Sequence, residues 1–265
     1  MKRYGSLIKA GILDALQFRL SLVVTIVGNL LYLLLVYHLW KAIFASAESD
    51  VINGMTFSDT MVYLVFASAL FNFMEMWIVW GMGRKIQSGE IVGDLLKPIS
   101  YSKWQFFSGL GETIVKFFTT FLPTGVVVFI ISNGAINLGV NILFFVVSTA
   151  MSLVINYYIN FMVGTVCMYT DTIWGINIMK VVVVSLLSGA TIPMAFFPDA
   201  IRNIVLMLPF QTICNTPIEL LLHSEYGIGK CLNIIAFQFI WLVIMKLLSE
   251  GFFHISVKKI TVNGG

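Results

Sequence analysis

Apolar runs long enough to cross a lipid bilayer occupy most of this 265-residue chain, and they leave little room for any other fold. A hydrocarbon core about 30 Å thick needs about 20 consecutive, mostly apolar helical residues. Runs of that kind fall at 20–40, 57–80, 106–131, 139–168, 177–197 and 232–250. Inside a bilayer a helix satisfies its own backbone hydrogen bonds, so the pattern predicts an all-α integral membrane protein with six transmembrane helices. Composition agrees: 58% of residues are hydrophobic and 11% charged, against about 25% charged in an ordinary soluble domain. No repeat, low-complexity tract or separate soluble segment divides residues 1–265, which read as one membrane domain.

The first run is too long for a signal-peptide core and lacks a small-residue cleavage site before the polar stretch Ala45–Asp50, so we expect it to be retained. An even number of spans puts both termini on one side. Lys2, Arg3, Lys9, Arg19, Arg84, Lys85, Lys97, Lys103, Lys180, Lys258 and Lys259 fall on that side, and only Lys41, Arg202 and Lys230 on the other. The excess of positive charge predicts cytoplasmic termini. On this topology, thiols at Ser49 and Ser224 would react from outside and one at Ser102 would not.

Two amphipathic elements accompany the spans. In residues 2–19, Tyr4, Leu7, Ile8, Gly11, Ile12, Ala15 and Phe18 share a helical face opposite Lys2, Ser6, Lys9 and Gln17. That pattern suits an interfacial helix that anchors the chain or docks a partner. Between spans two and three, Ser88 is placed to cap a short helix within 86–98. Its apolar residues Ile91, Val92, Leu95 and Leu96 form a stripe, Glu90, Asp94 and Lys97 lie on the other face, and Pro98 ends it. Such a helix either lies on the lipid surface or enters a groove on another protein.

Polar residues inside the runs are the candidate functional groups, because charges in lipid are costly. Glu112 and Lys116, and likewise Lys246 and Glu250, are four apart and can neutralise one another. Glu75 has no partner in its own run; it either pairs with Arg84 or Lys116, or lines a polar vestibule with Asn72 for cationic substrates. Ser21, Thr25, Asn29 and Tyr32 form a polar seam on the first run, and Ser185, Ser188, Gly189 and Thr191 a small, hydroxylic one on the fifth. Both seams suit close helix packing at a dimer interface as well as substrate contact. Trp40, Trp77, Trp80, Trp104 and Trp174 fall at run ends, as in an interfacial belt. Cys214 and Cys231 share the outer side, where pairing is open to them, and the histidines His38, His223 and His254 are scattered.

Four of the six prolines, Pro193, Pro198, Pro209 and Pro217, interrupt the outer segment before the last run. Broken helices at membrane depth need protein or a wet cavity around them. Residues 199–222 therefore read either as a re-entrant hairpin closing the outer end of a path or as an ordinary outer loop with an interfacial helix.

The interfacial helix, the six spans and the loop Ile86-Gln-Ser-Gly-Glu-Ile-Val-Gly-Asp-Leu-Leu-Lys-Pro-Ile99 resemble the permease subunits of bacterial ABC exporters of the ABC-2 type. The similarity is strongest to the viologen-exporter-like and multidrug branch. The resemblance implies that Gly89, Glu90, Ile91, Val92, Asp94, Leu95, Leu96 and Pro98 form a coupling helix seated on a separate ATPase subunit. It implies two ATPase copies holding ATP and Mg, a second permease, identical or related, and a substrate path along spans one, two and five. Short re-entrant helices at the outer end, here around Pro198, Pro209 and Pro217, belong to the same pattern, as does a bacterial cytoplasmic-membrane location. This chain has no Gly-x-x-x-x-Gly-Lys-(Ser/Thr) phosphate loop, and we expect it to bind no cofactor or nucleic acid, with lipid around it. Two rivals are weaker. An ion-coupled secondary carrier calls for midplane charges and repeat-related broken helices, and a membrane enzyme for clustered Asp, Glu or His. The path is mainly apolar and aromatic, which favours an amphiphile such as a drug, lipid, lipopeptide or antimicrobial peptide.

Overall fold

A computed structural model describes residues 2–47, 50–131, 140–170, 172–223 and 225–258. Ser49, Ser224, Lys259 and the first residue of the 139–168 run lie outside them. The apolar runs become helices whose ends follow local chemistry. After α1 (Lys2–Gln17), α2 (Arg19–Ser46) is apolar on all sides and mostly uncovered by the rest of the chain, as suits a helix in lipid. Asn53 and Gly54, both at positive φ (49° and 81°), turn a small hairpin of β1 (Val51–Ile52) and β2 (Met55–Thr56). Asn-Gly favours this mirror-image turn. Thr56 and Asp59 then form a reciprocal capping box that starts α3 (Phe57–Met74).

Several run boundaries need correction. The second span does not end at 80: after non-helical Glu75 and Met76 it resumes as α4 (Ile78–Gln87). The third begins at Tyr101, as α6 (Tyr101–Lys116), a π-helical turn at Phe117–Phe121 and α7 (Leu122–Ile131). Pro123 accounts for the π turn. A proline ring crowds the carbonyl four residues back, and here the Leu122 N–H reaches the Phe117 carbonyl instead. The run at 139–168 becomes α8 (Asn141–Val166), and the run at 232–250 becomes the longer α12 (Ile228–Val257).

The fifth run is the largest departure. Its helix, α9 (Ile173–Leu187), has 15 residues, about 22 Å at 1.5 Å per residue, and so falls short of the expected 177–197 span. Gly189, at φ 81°, breaks the chain direction, and a 3₁₀ turn at Met194–Phe196 leads to α10 (Asp199–Met207) and α11 (Gln211–Leu222), bent by 100°.

α8 organises the core, packing on α4, α11 and α12. Leu64, Leu70 and Met74 of α3, Ile155 and Ile159 of α8, and Ile213 and Ile218 of α11 form its apolar centre. The same helix buries Ser148, Ser152, Asn156 and Asn160 along one face, four residues apart. Gln238 of α12, fully buried, donates to the Ser148 and Thr212 carbonyls and to Ser152 Oγ, at 2.9–3.0 Å, and accepts from Ser148 Oγ at 2.8 Å. That network ties α11 to both long helices. α1 lies on α6, with Gly11 and Gly111 in backbone contact; a Cβ at Gly111 would stand 2.5 Å from the Gly11 carbonyl carbon. The face predicted for membrane contact is thus half-buried against protein. All three cysteines are buried and free, so Cys214 and Cys231 do not pair. Trp40 leaves the expected belt as well, buried against Phe196 at 4.5 Å.

Candidate functional site

The break between α3 and α4 frees the last α3 carbonyls from their helical partners, and polar side chains from other helices take them up. Asn156 Nδ2 donates to the Met74 carbonyl at 3.0 Å, and Lys116 Nζ to the Glu75 carbonyl at 2.7 Å. Lys116 also pairs with Glu112 at 2.6 Å, as its spacing predicted. The Glu75 carboxylate binds Lys180 of α9, whose ammonium donates in addition to Asn160 Oδ1 at 2.8 Å. Neither Arg84 nor Lys116 is the carboxylate's partner. Lys180 is 4% exposed, so it is an internal charge and not one of the loop charges that orient the chain. Removing it leaves the imbalance intact. Lys246 and Glu250 form no ion pair, and Glu250 instead faces the Tyr158 hydroxyl.

Beside this cluster lies a cavity of about 950 Å³. Its walls include Ser21 and Thr25 of α2, Asn72 and Glu75 at the break, Glu112 and Lys116 of α6, and Asn177 of α9. α1 contributes Asp14, the α1–α2 junction Phe18, and Trp77, Trp80 and Trp104 add aromatic surface. Trp77 is therefore a wall residue within a span, not a span end. A second cavity of about 390 Å³ continues from it, sharing Thr25 and Asn72 and adding Asn29, Tyr32, Ser185 and Thr191. Asn72 Nδ2 donates to Asn29 Oδ1 at 3.1 Å, and Tyr32 bonds Thr191. Of the proposed path residues, Ser21, Thr25, Asn29, Tyr32, Asn72, Glu75 and Ser185 thus meet around two adjoining cavities. Ser188 and Gly189 do not. Both are buried beyond the end of α9, where the Ser188 carbonyl accepts from the Asn215 N–H at 3.1 Å. The Tyr63 hydroxyl packs over Gly189 and donates to Asn215 Oδ1 at 3.2 Å.

In the segment predicted to lie outside, Pro198 caps α10, and the Pro209 carbonyl in the corner accepts from the Thr212 N–H and hydroxyl. Pro217 is buried within α11 rather than ending it.

The loop between spans two and three differs from expectation in three ways. Its helix, α5, covers only Ile91–Leu95, and Ser88 closes α4 instead of capping it. Gly89 follows at φ 76°. Most of the apolar stripe faces the chain itself: Ile91 is 1% exposed in a cluster with Met82, Tyr101, Tyr157 and Phe161, and Val92 and Leu95 pack on it. Asp94 is also buried, bound to Lys85 and Lys97 at 2.6 Å each. Both lysines lie over the Trp104 ring at 4.3 Å. Of the eight predicted coupling residues, Gly89, Glu90, Pro98 and Leu96 remain on the surface, the last 81% exposed.

Sequence reading missed Lys180 as a partner and the Ser148–Asn160 face. The four-residue spacing of the latter is a visible signal, whereas the former joins residues 105 apart. Among the described residues no group of three or more His, Cys, Asp or Glu is placed to hold a metal ion.

Long apolar helices, a broken span and paired charges around a cavity define an integral membrane domain with a polar-lined interior. Residues 30–264 match the family model described as ABC-2 family transporter protein, and the chain belongs to that family. It is a multi-pass ABC transporter permease, a transport component that is not catalytic alone. Comparison with curated proteins returned no match.

Proposed function

We propose that this permease exports an amphiphile along the adjoining cavities at α2, the α3–α4 break and α9. The observation that carries the reading is the continuity of the two cavities through Thr25 and Asn72, with polar, apolar and aromatic walls together. ATP hydrolysis occurs on a separate ATPase, present in two copies that hold ATP and Mg. A second permease, identical or related, completes the membrane part in the bacterial cytoplasmic membrane, with all four termini of the pair in the cytoplasm. Transport follows from unequal affinity for the substrate in two conformations, and hydrolysis sets the direction.

The exposed residues Gly89, Glu90, Leu96 and Pro98 carry the contact with the ATPase, while Ile91, Val92, Asp94 and Leu95 hold the loop on its own chain. Thr25→Trp or Asn29→Trp should lower transport by about tenfold or more, the equivalent of roughly 1.4 kcal/mol in a rate barrier, at unchanged membrane levels. Leu35→Trp, at a position 72% exposed on α2, should not. Export by both cavity variants at the wild-type rate would exclude this route.

A further inference from the structure

The charged groups around the larger cavity are unequally satisfied, and the difference points to the kind of headgroup that fits. Among the described residues the cavity wall carries Asp14, Glu75 and Glu112 against Arg84, Lys85 and Lys116. Glu112 and Lys116 neutralise each other and buried Lys180 neutralises Glu75, whereas Lys85 shares the single Asp94 carboxylate with Lys97 and is only half neutralised. Asp14 on α1 and Arg84 on α4 form no ion pair among the described residues, and Arg84 donates only a 3.4 Å bond from Nε to the Trp80 carbonyl. The wall thus offers one acidic group without a protein counter-ion, Asp14, and a basic pair, Arg84 with the half-neutralised Lys85, beside the Trp80 ring and open to water. A purely cationic ligand would leave Arg84 unmatched and find Glu75 already paired. An anionic one would leave Asp14 unmatched. A zwitterion answers both, and its ammonium also gains from the Trp80 indole rather than the Trp104 ring, which Lys85 and Lys97 already occupy.

We propose that the cavity selects amphiphiles with a zwitterionic headgroup, the anionic part on Arg84 and the cationic part near Asp14. Lys180 sets the preference by cancelling Glu75 from behind. This rests on the export reading above. The same headgroup occurs on a two-chain membrane phospholipid and on a single-chain amphiphile, and the cavity accepts that shared chemistry.

The test uses the full-length protein in an uncharged maltoside detergent, with three fluorescent probes of equal chain length: an alkylphosphocholine, an alkyltrimethylammonium and an alkyl sulfate. Wild type should bind the phosphocholine about tenfold more tightly than either other probe, a difference of one decade in Kd. Asp14→Asn and Arg84→Gln, both at exposed positions, should each remove that preference. Lys180→Met should shift it toward the cation, and the double variant Glu75→Gln with Lys180→Met should abolish the shift, which guards against simple misfolding. Competition by diacyl phosphatidylcholine would assign the site to bilayer lipid, and competition by single-chain phosphocholine alone would assign it to a detergent-like amphiphile; either outcome supports the proposal. Equal affinity for all three probes in wild type, or an undiminished preference in both Asp14→Asn and Arg84→Gln, would overturn it. Thr25→Trp separates the two levels: if it weakens all probes alike without any charge preference, only the headgroup inference fails. If no probe responds to it, the export route fails too.

Discussion

At the scale of single residues, the polar side chains of α8 do the work of keeping a broken span in a membrane. Asn156 satisfies the Met74 carbonyl and Asn160 holds Lys180. Replacing Asn156 by Leu leaves that carbonyl without its donor, a cost of about 1–3 kcal/mol for a buried polar group. Asn156→Leu should therefore lower the melting temperature in detergent and reduce transport, whereas a melting curve identical to wild type would mean that packing alone holds the break. The spacing of Ser148, Ser152, Asn156 and Asn160 was visible in the sequence, but a hydropathy average over a whole run dilutes four small polar groups among apolar neighbours. The Glu75–Lys180 pair was not legible at all. Each residue looked like a separate problem, one a carboxylate without a partner and the other a charge at a loop.

At the scale of elements, the loop between α4 and α6 shows that an amphipathic pattern does not say which surface it covers. Five residues are too few for a helix to persist on its own, so α5 depends on Ile91 in the core and on the grip of Asp94 on Lys85 and Lys97. Burial pushes the Asp94 carboxyl up, but hydrogen bonds and charge from the two lysines outweigh it and hold it below the usual carboxylate value. A carboxyl depressed on folding contributes its stability in full above the ordinary carboxylate range and loses it as pH falls through the lowered value. A spin label at exposed Glu90 reads this directly. Its mobility should rise in Asp94→Asn at neutral pH and in wild type only at acid pH, with a cost of about 1–2 kcal/mol since both lysines are partly solvated. A label equally immobile in the variant and in wild type at low pH would remove the clamp. The sequence could not tell which surface the stripe covers, because burying Ile91 against its own chain or against a partner demands the same residue.

At the scale of the molecule, the proposed orientation of the helices rests on the charges that remain once Lys180 is taken as internal. Ser102 is unsuitable for testing it, being 5% exposed and bonded to Tyr157. With the three buried native cysteines replaced, thiols at Arg202 and Lys230 should react with an impermeant reagent outside intact cells, and thiols at Gln87 and Lys103 only after lysis. Labelling of Gln87 from outside would reverse the topology. The α1 helix is packed onto this framework, since Gly11 and Gly111 allow its backbone to sit directly on α6. Small residues permit such approach in membranes, and the loop carrying α5 runs straight into the same α6 through Pro98.

Membrane insertion and helical class were legible in composition and length, since lipid offers a backbone no alternative to the helix, but five helices, not six, are each long and apolar enough to span among the described residues. The loop motif carried the family likeness for a similar reason, being a local string of residues. Where the spans break, which charges cancel and which side of a stripe is buried depended on contacts between distant segments. Glu75 meets Lys180 across 105 residues, and Gln238 reaches Ser148 across 90. Hydropathy ranks each residue by its affinity for lipid, but a buried charge or amide is stable only in the presence of its partner. Which partner it meets is a property of the folded arrangement.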